Sequence, residues 1–339
     1  MLESAIDEWN KHPLVCIVQM GDLLDGFCHR GADPRVALAT VRKTQERAVC
    51  KSWHNVIGNH ELYNFDRAEL RELLNVHYGG ATDYYSFSPY AGWRIVILDA
   101  YDISIIGRDK ESPEYKEALT ILQSNNPNNV LEFVDWIQGL EGTQRRFLPY
   151  NGSMSQAQLT WLDRTLADAT AANERVIVVS HVPLHLCCCG VRTRTSMPHG
   201  LTRSLACSMQ PTVLVWNYEE VLRVLHRYHC VAAVLYGHEH KGGRGVDEHG
   251  IHHIIFEAPL ECPPGETALY VSVSCSLAPV HSFMSTRFDS FRSFACSFQR
   301  SDASLRRSHR AVGLRSRSST HDPLEPSTDD HDHDHDHHR

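Results

Sequence analysis

Six short runs rich in β-branched residues constrain this chain more than any other feature. They are residues 14–20 (LVCIVQM), 55–58 (NVIG), 93–99 (WRIVILD), 175–180 (RVIVVS), 231–237 (VAAVLYG) and 251–257 (IHHIIFE). Their nearly continuous apolarity, without alternation, predicts strands covered on both faces. Amphipathic helical patterns lie between them. Asp33 reads as an N-cap and Pro34 as a first-turn residue ahead of a stripe of Val36, Leu38, Val41 and Val49. Ser155 caps a second stripe of Leu159, Leu162 and Leu166, and a third holds Val221, Leu222, Val224 and Leu225. With no long polar linker between halves, strands alternating with helices predict one layered α/β domain. Residues 109–151, with NNPNN near their centre, read as a polar, irregular surface insertion near the ligand mouth.

The 339 residues are 42% hydrophobic, enough for a sizeable core. Thirty-three Lys and Arg against 41 Asp and Glu leave a net charge of −8, which gives no field for gripping nucleic-acid backbones. No apolar run approaches the roughly 20 residues of a membrane span, and MLESAIDEWNKHP lacks a signal-peptide pattern, so a cytoplasmic protein is expected. Eleven cysteines without framework spacing predict reduced thiols. Cys187, Cys188 and Cys189 beside His185 and His199 lack the gaps of a zinc site. The 23 histidines make metal chemistry the feature to test.

Four polar clusters directly follow strand candidates: Gly21-Asp22, Asn59-His60-Glu61, His181, and Gly237-His238-Glu239-His240. At the carboxyl ends of strands in an open α/β sheet, such residues converge on one crevice. Asp, Asn and several His are oxygen and imidazole ligands suited to Mn²⁺, Fe or Zn²⁺. Alone, Asp22 reads as a helix cap and His181 as a packed histidine, so the weight rests on the set. The glycines at 21, 58 and 237 are expected to let the backbone turn sharply. Asp25, Asp99 and Asp102 read either as carboxylates orienting ligand histidines or as capping and solvated groups. One of His252 and His253 at most faces inward.

These blocks, GD, GNHE, a His after a strand and GHEH, resemble those of the calcineurin-like metallophosphoesterases. The strings AIDEWN, GDLLDGF, GNHELYNF, LDAYD, SQAQLTWL and GIHHIIFE, with Trp216-Asn217-Tyr218, are similar to the manganese-dependent ADP-ribose/CDP-alcohol diphosphatase branch over about residues 4–266. The resemblance implies a four-layer αββα sandwich with a two-metal centre. Asp22 would bridge the ions, Asn59, His181 and His238 would complete one shell, and His240 would serve the other. His60 would act catalytically beside the phosphate, and Tyr63, Trp216, Asn217 and Tyr218 would contact substrate. The implied cofactor is Mn²⁺, with Fe, Zn²⁺ or Mg²⁺ as alternatives. Implied partners are small nucleoside diphosphate derivatives, with no nucleic acid and no membrane. The reaction would cleave the pyrophosphate of ADP-ribose or CDP-alcohols; a phosphomonoesterase, a cyclic-nucleotide phosphodiesterase or a non-catalytic nucleotide- and metal-binding homologue are the other readings.

Against the family's pattern, the chain opens in the helix that follows the first strand, which carries Asp-x-His or Asp-x-Gln. One metal would then keep only Asp22 and His240. The match ends near residue 268 without the family's closing strands. Residues 269–339, Ser/Arg-rich and ending in HDHDHDHHR, are expected to be a disordered tail.

Overall fold

The computed structural model describes residues 2–31, 33–188 and 211–259, together with the strands at 271–275 and 295–300. The chain opens with helix α1 (Leu2–Trp9), strand β1 (Leu14–Gln19), a short α2 (Cys28–Gly31), α3 (Pro34–Gln45) and β2 (Trp53–Asn55). Next come α4 (Asn59–Asn64), α5 (Arg67–Leu74), β3 (Tyr85–Tyr90), β4 (Trp93–Ile97), α6 (Pro113–Asn125), α7 (Gln156–Ala171) and β5 (Arg175–Ser180). The last described elements are α8 (Tyr218–Leu225), β6 (Val231–Tyr236), β7 (Gly243–Val246), β8 (His252–Ile255), β9 (Val271–Cys275) and β10 (Ala295–Arg300). Two sheets result, ordered β2-β1-β10-β9 and β3-β4-β5-β6-β8-β7. In the second, β4, β5, β6 and β8 run parallel, and antiparallel β3 and β7 close its edges.

The continuous apolar runs have a simple explanation in this sandwich. Ile177 and Val179 of β5 face inward with Ile95, Ile97, Ala233 and Leu235, meeting Cys16, Val18 and Met20 from the first sheet. Val176 and Val178 face outward and pack with Leu159, Leu162 and Leu166 of α7 and Val221 and Leu225 of α8. Successive strand residues point to opposite faces, so a strand between two apolar layers needs an apolar residue at every position. Full burial of each such side chain is worth about 1.5–3 kcal/mol. Ala5, Ile6 and Trp9 of α1 cover the outer face of the first sheet against Ile17 and Ala48. These are the four layers, α/β/β/α.

Capping follows the sequence: Asp33 accepts from Arg35 N–H, and Ser155 from Gln158 N–H. In α3 only Leu38 of the expected stripe is buried; Val36 and Val49 are exposed, Val49 lying beyond the helix end. The stretch from 109 to 151 is more ordered than its composition suggests. Ser112 caps α6, Pro113 occupies its first turn, and Ala118 and Leu122 bury against Phe147 and Trp216.

Part of the expected tail also forms sheet. Strand β10 pairs antiparallel with β1 and parallel with β9, so the region read as unstructured adds two strands to the first sheet, β10 beside β1 and β9 beyond it. An unpaired edge of β1 would leave a row of free N–H and C=O groups, and the short segment ACSFQR satisfies them, its own outer edge being met by VSVSC. The remainder of 269–339, including HDHDHDHHR, lies outside the described residues, as do Cys189 and His199. Among the described residues no helix is long and apolar enough to cross a membrane.

Candidate metal centre

Four strand ends deliver the chemistry. Asp22 follows β1 by way of Met20 and Gly21, Asn59 opens α4 just beyond β2, His181 follows β5, and His238 follows β6. Gly21 turns at φ +92°, and a Cβ there would stand 2.2 Å from His181 Nδ1. Gly58, in contrast, has ordinary extended backbone, φ −102°. Its requirement is space, because a Cβ would fall 2.2 Å from Asp22 Oδ1. Gly21 makes the sharp turn expected of it; after Gly58 and Gly237 no such turn is needed of the glycine, and Asp22 (φ 56°) and His238 (φ 64°) themselves lie in the left-handed region.

Hydrogen bonds fix which nitrogen of each imidazole faces the centre. His181 Nδ1 bonds to the Met20 carbonyl at 2.7 Å, which leaves the Nε2 lone pair directed at Asp22 Oδ2 (3.2 Å) and Asn59 Oδ1 (3.2 Å). Tyr101, fully buried, donates its hydroxyl to Asn59 Oδ1 at 3.3 Å and sets that amide's orientation. Asn151 donates through Nδ2 to the carbonyls of Arg146 and Thr212, so its Oδ1 accepts from His238 Nε2 at 3.0 Å. His238 therefore presents Nδ1 as its lone pair. His60 is held in the same way, Nδ1 against the Leu24 carbonyl at 3.0 Å, with Nε2 3.9 Å from Asp22 Oδ2.

Ligand atoms of Asp22, His181 and His238 lie within 4.8 Å of one another. A carboxylate, an amide oxygen and imidazole lone pairs turned toward one point have no donor among them. That arrangement suits a cation, and the oxygen and nitrogen donor set fits a divalent metal. The charges show the same demand. Burial opposes ionisation of Asp22, but His181, His60 and His238 hold its carboxyl well below the usual range. Burial opposes protonation of His181, yet Asp22 pushes its pKa up. Burial, reinforced by His181, drives His238 down to about 3, keeping it neutral and able to ligate.

Glu61 positions the pair of loops. Buried at 1% exposure, it accepts from the backbone N–H groups of Asp22, Leu23 and Gly58, at 2.8, 2.6 and 2.8 Å, tying the ends of β1 and β2 together. His60 N–H adds a 3.0 Å bond to Asp22 Oδ1.

The calcineurin-like phosphoesterase family matches residues 3–242, a span that contains every one of these side chains. The chain belongs to this family. Curated relatives include the manganese-dependent ADP-ribose/CDP-alcohol diphosphatases of Arabidopsis thaliana, 39% identical over 85% of this chain and 86% of that protein. The human protein of the same name is 32% identical over 79% and 75%. Among solved structures, a dimetal phosphatase from Danio rerio superposes with a TM-score of 0.67 at 35% identity, covering 78% of each chain. The fold is thus the metallophosphoesterase sandwich.

Within this phosphoesterase the other site expectations fare unevenly. His240 stands outside the group of three, although it is near enough to His238 to push that imidazole's pKa down. Tyr63 is half-buried with its ring 6.0 Å from that of His60, at the edge of the centre. The Trp216-Asn217-Tyr218 triplet is engaged in packing and hydrogen bonds with neighbouring elements. Trp216 is 2% exposed and packs against Ile103, Leu122 and Phe147. Asn217 clamps Met154 through both its amide groups, and Tyr218 begins α8 beneath the Arg146 guanidinium. Asp99 and Asp102 orient no ligand histidine: Asp99 pairs with Arg67 at 2.7 Å, and Asp102 binds Ser155 and Gln158. Asn151 and Tyr101, which do orient ligands, carry no spacing signal, since each reaches the centre from an irregular loop.

Proposed function

We propose that this chain is a manganese-dependent hydrolase that cleaves the pyrophosphate of ADP-ribose and CDP-alcohols, releasing AMP or CMP and a phosphorylated product. The observation that carries this reading is the convergence of Asp22, Asn59, His181 and His238 with their lone pairs inward, in a chain whose curated relatives bear that activity in their names. Asp22, Asn59, His181 and His238 would hold one ion, and Asp22 with His240 would contribute to a second. When bound, such ions supply Lewis-acid activation of water and neutralise phosphate charge. Asp22 is suited to bridging because a carboxylate has two acceptor oxygens and a full negative charge. Asn59 offers an oxygen without adding charge that would repel an anionic substrate. His60, its Nδ1–H braced by the Leu24 carbonyl, aims Nε2 into the site and, as the doubly protonated imidazolium, would deliver the Nε2 proton to the leaving phosphate oxygen. Tyr63 beside it would contact the substrate. A cytoplasmic location would keep the thiols of Cys16, Cys28, Cys50, Cys187, Cys188 and Cys230 reduced, the state in which they stand here.

Purified full-length chain with Mn²⁺ should release AMP from ADP-ribose and CMP from CDP-choline, faster than it turns over p-nitrophenyl phosphate or cyclic AMP, and Asp22→Ala should abolish release. A folded, Mn²⁺-loaded sample without turnover would refute the reading. The position of His240 outside the group of three favours a second one, a binding protein with one strong ion site. Calorimetric stoichiometry separates them: two ions for the hydrolase, one for the binding protein.

A further inference from the structure

A second group of metal-binding side chains lies at the opposite end of the second sheet. His226 caps the C-terminus of α8, and Glu248 and His249 stand on the turn between β7 and β8. That turn adjoins His252, which pairs with the early residue Ala233 of β6, whereas His238 follows the far end of β6. One ligand atom from each of His226, Glu248 and His249 lies within 4.8 Å of the other two.

The group is braced by a buried carboxylate. Asp247 Oδ1 accepts from the N–H groups of His249 and Ile251, at 2.9 and 2.8 Å, and so fixes the turn. Its Oδ2 accepts from His226 Nε2 at 2.9 Å and from His253 Nε2 at 3.1 Å, while Tyr236 hydroxyl bonds to His253 Nδ1 at 2.7 Å. Burial favours the neutral form of Asp247, but hydrogen bonds from His253, Ile251 and His226 hold its pKa at about 2. An imidazole that donates one N–H to a buried carboxylate has its ring orientation fixed and its other nitrogen made a better donor to a metal. His226 is in that state. Its Nε2 proton is spent on Asp247, and the opposite lone pair is left over.

We propose that His226, Glu248 and His249 form a binding site for a divalent transition metal of the Zn²⁺ class, separate from the phosphoesterase centre. Two imidazoles and one carboxylate are a donor set for Zn²⁺, and ligand bonds of about 2.0–2.2 Å would draw the three groups closer than they stand. The rings of His226 and His249 are stacked, centroids 3.8 Å apart at 18°. Imidazole lone pairs lie in the ring plane, so capture of an ion swings His249 out of the stack. Both His249 and Glu248 are exposed on the turn, where that movement disturbs no core packing. His185 Nε2 stands 3.9 Å from Glu248 Oε2 and adds a further imidazole to the neighbourhood. The ion would pin the end of α8 to the β7–β8 hairpin, strengthening a junction now made by the Asp247 bond to His226 and the stack of His226 on His249.

The test uses the full chain with His331, His333, His335, His337 and His338 changed to Gln, so that the terminal His/Asp tract does not compete. Zinc bound per chain is measured after equilibration against buffered Zn²⁺, with and without His249→Gln. His249→Gln should remove one equivalent, or weaken it at least tenfold, and abolish the part of the zinc-induced rise in Tm that it supports. Glu248→Gln should weaken the same equivalent, and His229→Gln, an exposed imidazole three residues beyond His226 and outside the group, should not. Mn²⁺-supported hydrolysis should be unchanged in all three. Equal zinc content with and without His249→Gln, or an equal loss with His229→Gln, would overturn the site.

Discussion

Gly58→Ala isolates the contact on which the centre depends. The backbone at Gly58 is extended (φ −102°, ψ 172°), so alanine carries no conformational penalty there. The cost is steric, and it falls in one place: the new Cβ would lie 2.2 Å from Asp22 Oδ1, 2.4 Å from Asp22 N and 2.8 Å from Glu61 Oε2. A flexible side chain could move aside, but the Asp22 backbone cannot without displacing the end of β1. The same Glu61 oxygen accepts from Asp22 N–H and Gly58 N–H, and moving it leaves two buried donors unpaired. At about 1–3 kcal/mol for each buried group left unsatisfied, the variant should lose about 2–6 kcal/mol. A displacement of about 1 Å in a reacting constellation costs on the order of 100-fold in rate, so hydrolysis should fall at least that far. Calorimetric unfolding, Mn²⁺ titration and AMP release from ADP-ribose are the three readings. Gly31→Ala is the matched control, because a Cβ at Gly31 meets nothing within 4 Å. If Gly58→Ala keeps the wild-type Tm, Mn²⁺ affinity and rate, the close approach of β1 and β2 does not build the site.

Three further outcomes follow from the same structure. His54, 2% exposed with its ring stacked 3.6 Å from Phe87, is pushed down by burial to about 4. The unfolded chain takes up that proton near pH 6.5, so stability should decline from there toward pH 4 by about 3 kcal/mol in all. His54→Phe should flatten this part of the denaturation profile, and parallel wild-type and variant profiles would refute the assignment. Arg67, buried between Asp83 and Asp99 at 2.8 and 2.7 Å, should cost about 3–5 kcal/mol when changed to Met, because both carboxylates stay behind uncompensated; urea midpoints measure this. Dialysis against a chelator should lower Tm and stop hydrolysis, with both restored by Mn²⁺; at a free ion concentration 100 times Kd the restored stability is about 2.7 kcal/mol. Recovery of neither would count against a metal-built centre.

Much of the fold was legible because burial on both faces writes a conspicuous sequence. β5 occupies the span that RVIVVS predicts, and β1, β4 and β6 end within two residues of their apolar runs. Besides β9 and β10, which fall in the expected tail, the strands missed were β3 and β7, and the strand expected at 55–58 lies earlier, at Trp53–Asn55. YSFSPY contains a proline and GRGV two glycines, both tolerated because these strands close the sheet edges and are only partly buried. Helix α6 was hidden by the Asn-rich loop that follows it, though Ser112-Pro113 is a legible start. The pairing of β10 with β1 depends on segments about 280 positions apart, a separation that local pattern does not encode. In the site, Asp22, Asn59, His181 and His238 were readable because each directly follows a strand or opens the helix after one. Glu61 was visible in its block, but its role in joining three backbone N–H groups appears only when β1 and β2 lie side by side.

The left-handed backbone at Asp22 and His238 bears on any effort to engineer this protein. For residues with a Cβ that conformation costs on the order of 1–2 kcal/mol each, and glycine would relieve it. A stability screen blind to chemistry would therefore reward the loss of the two side chains the centre most needs. Hardening this enzyme for heat should begin at positions such as Gly31, and treat the tension at the strand ends as the cost of holding ligands in place.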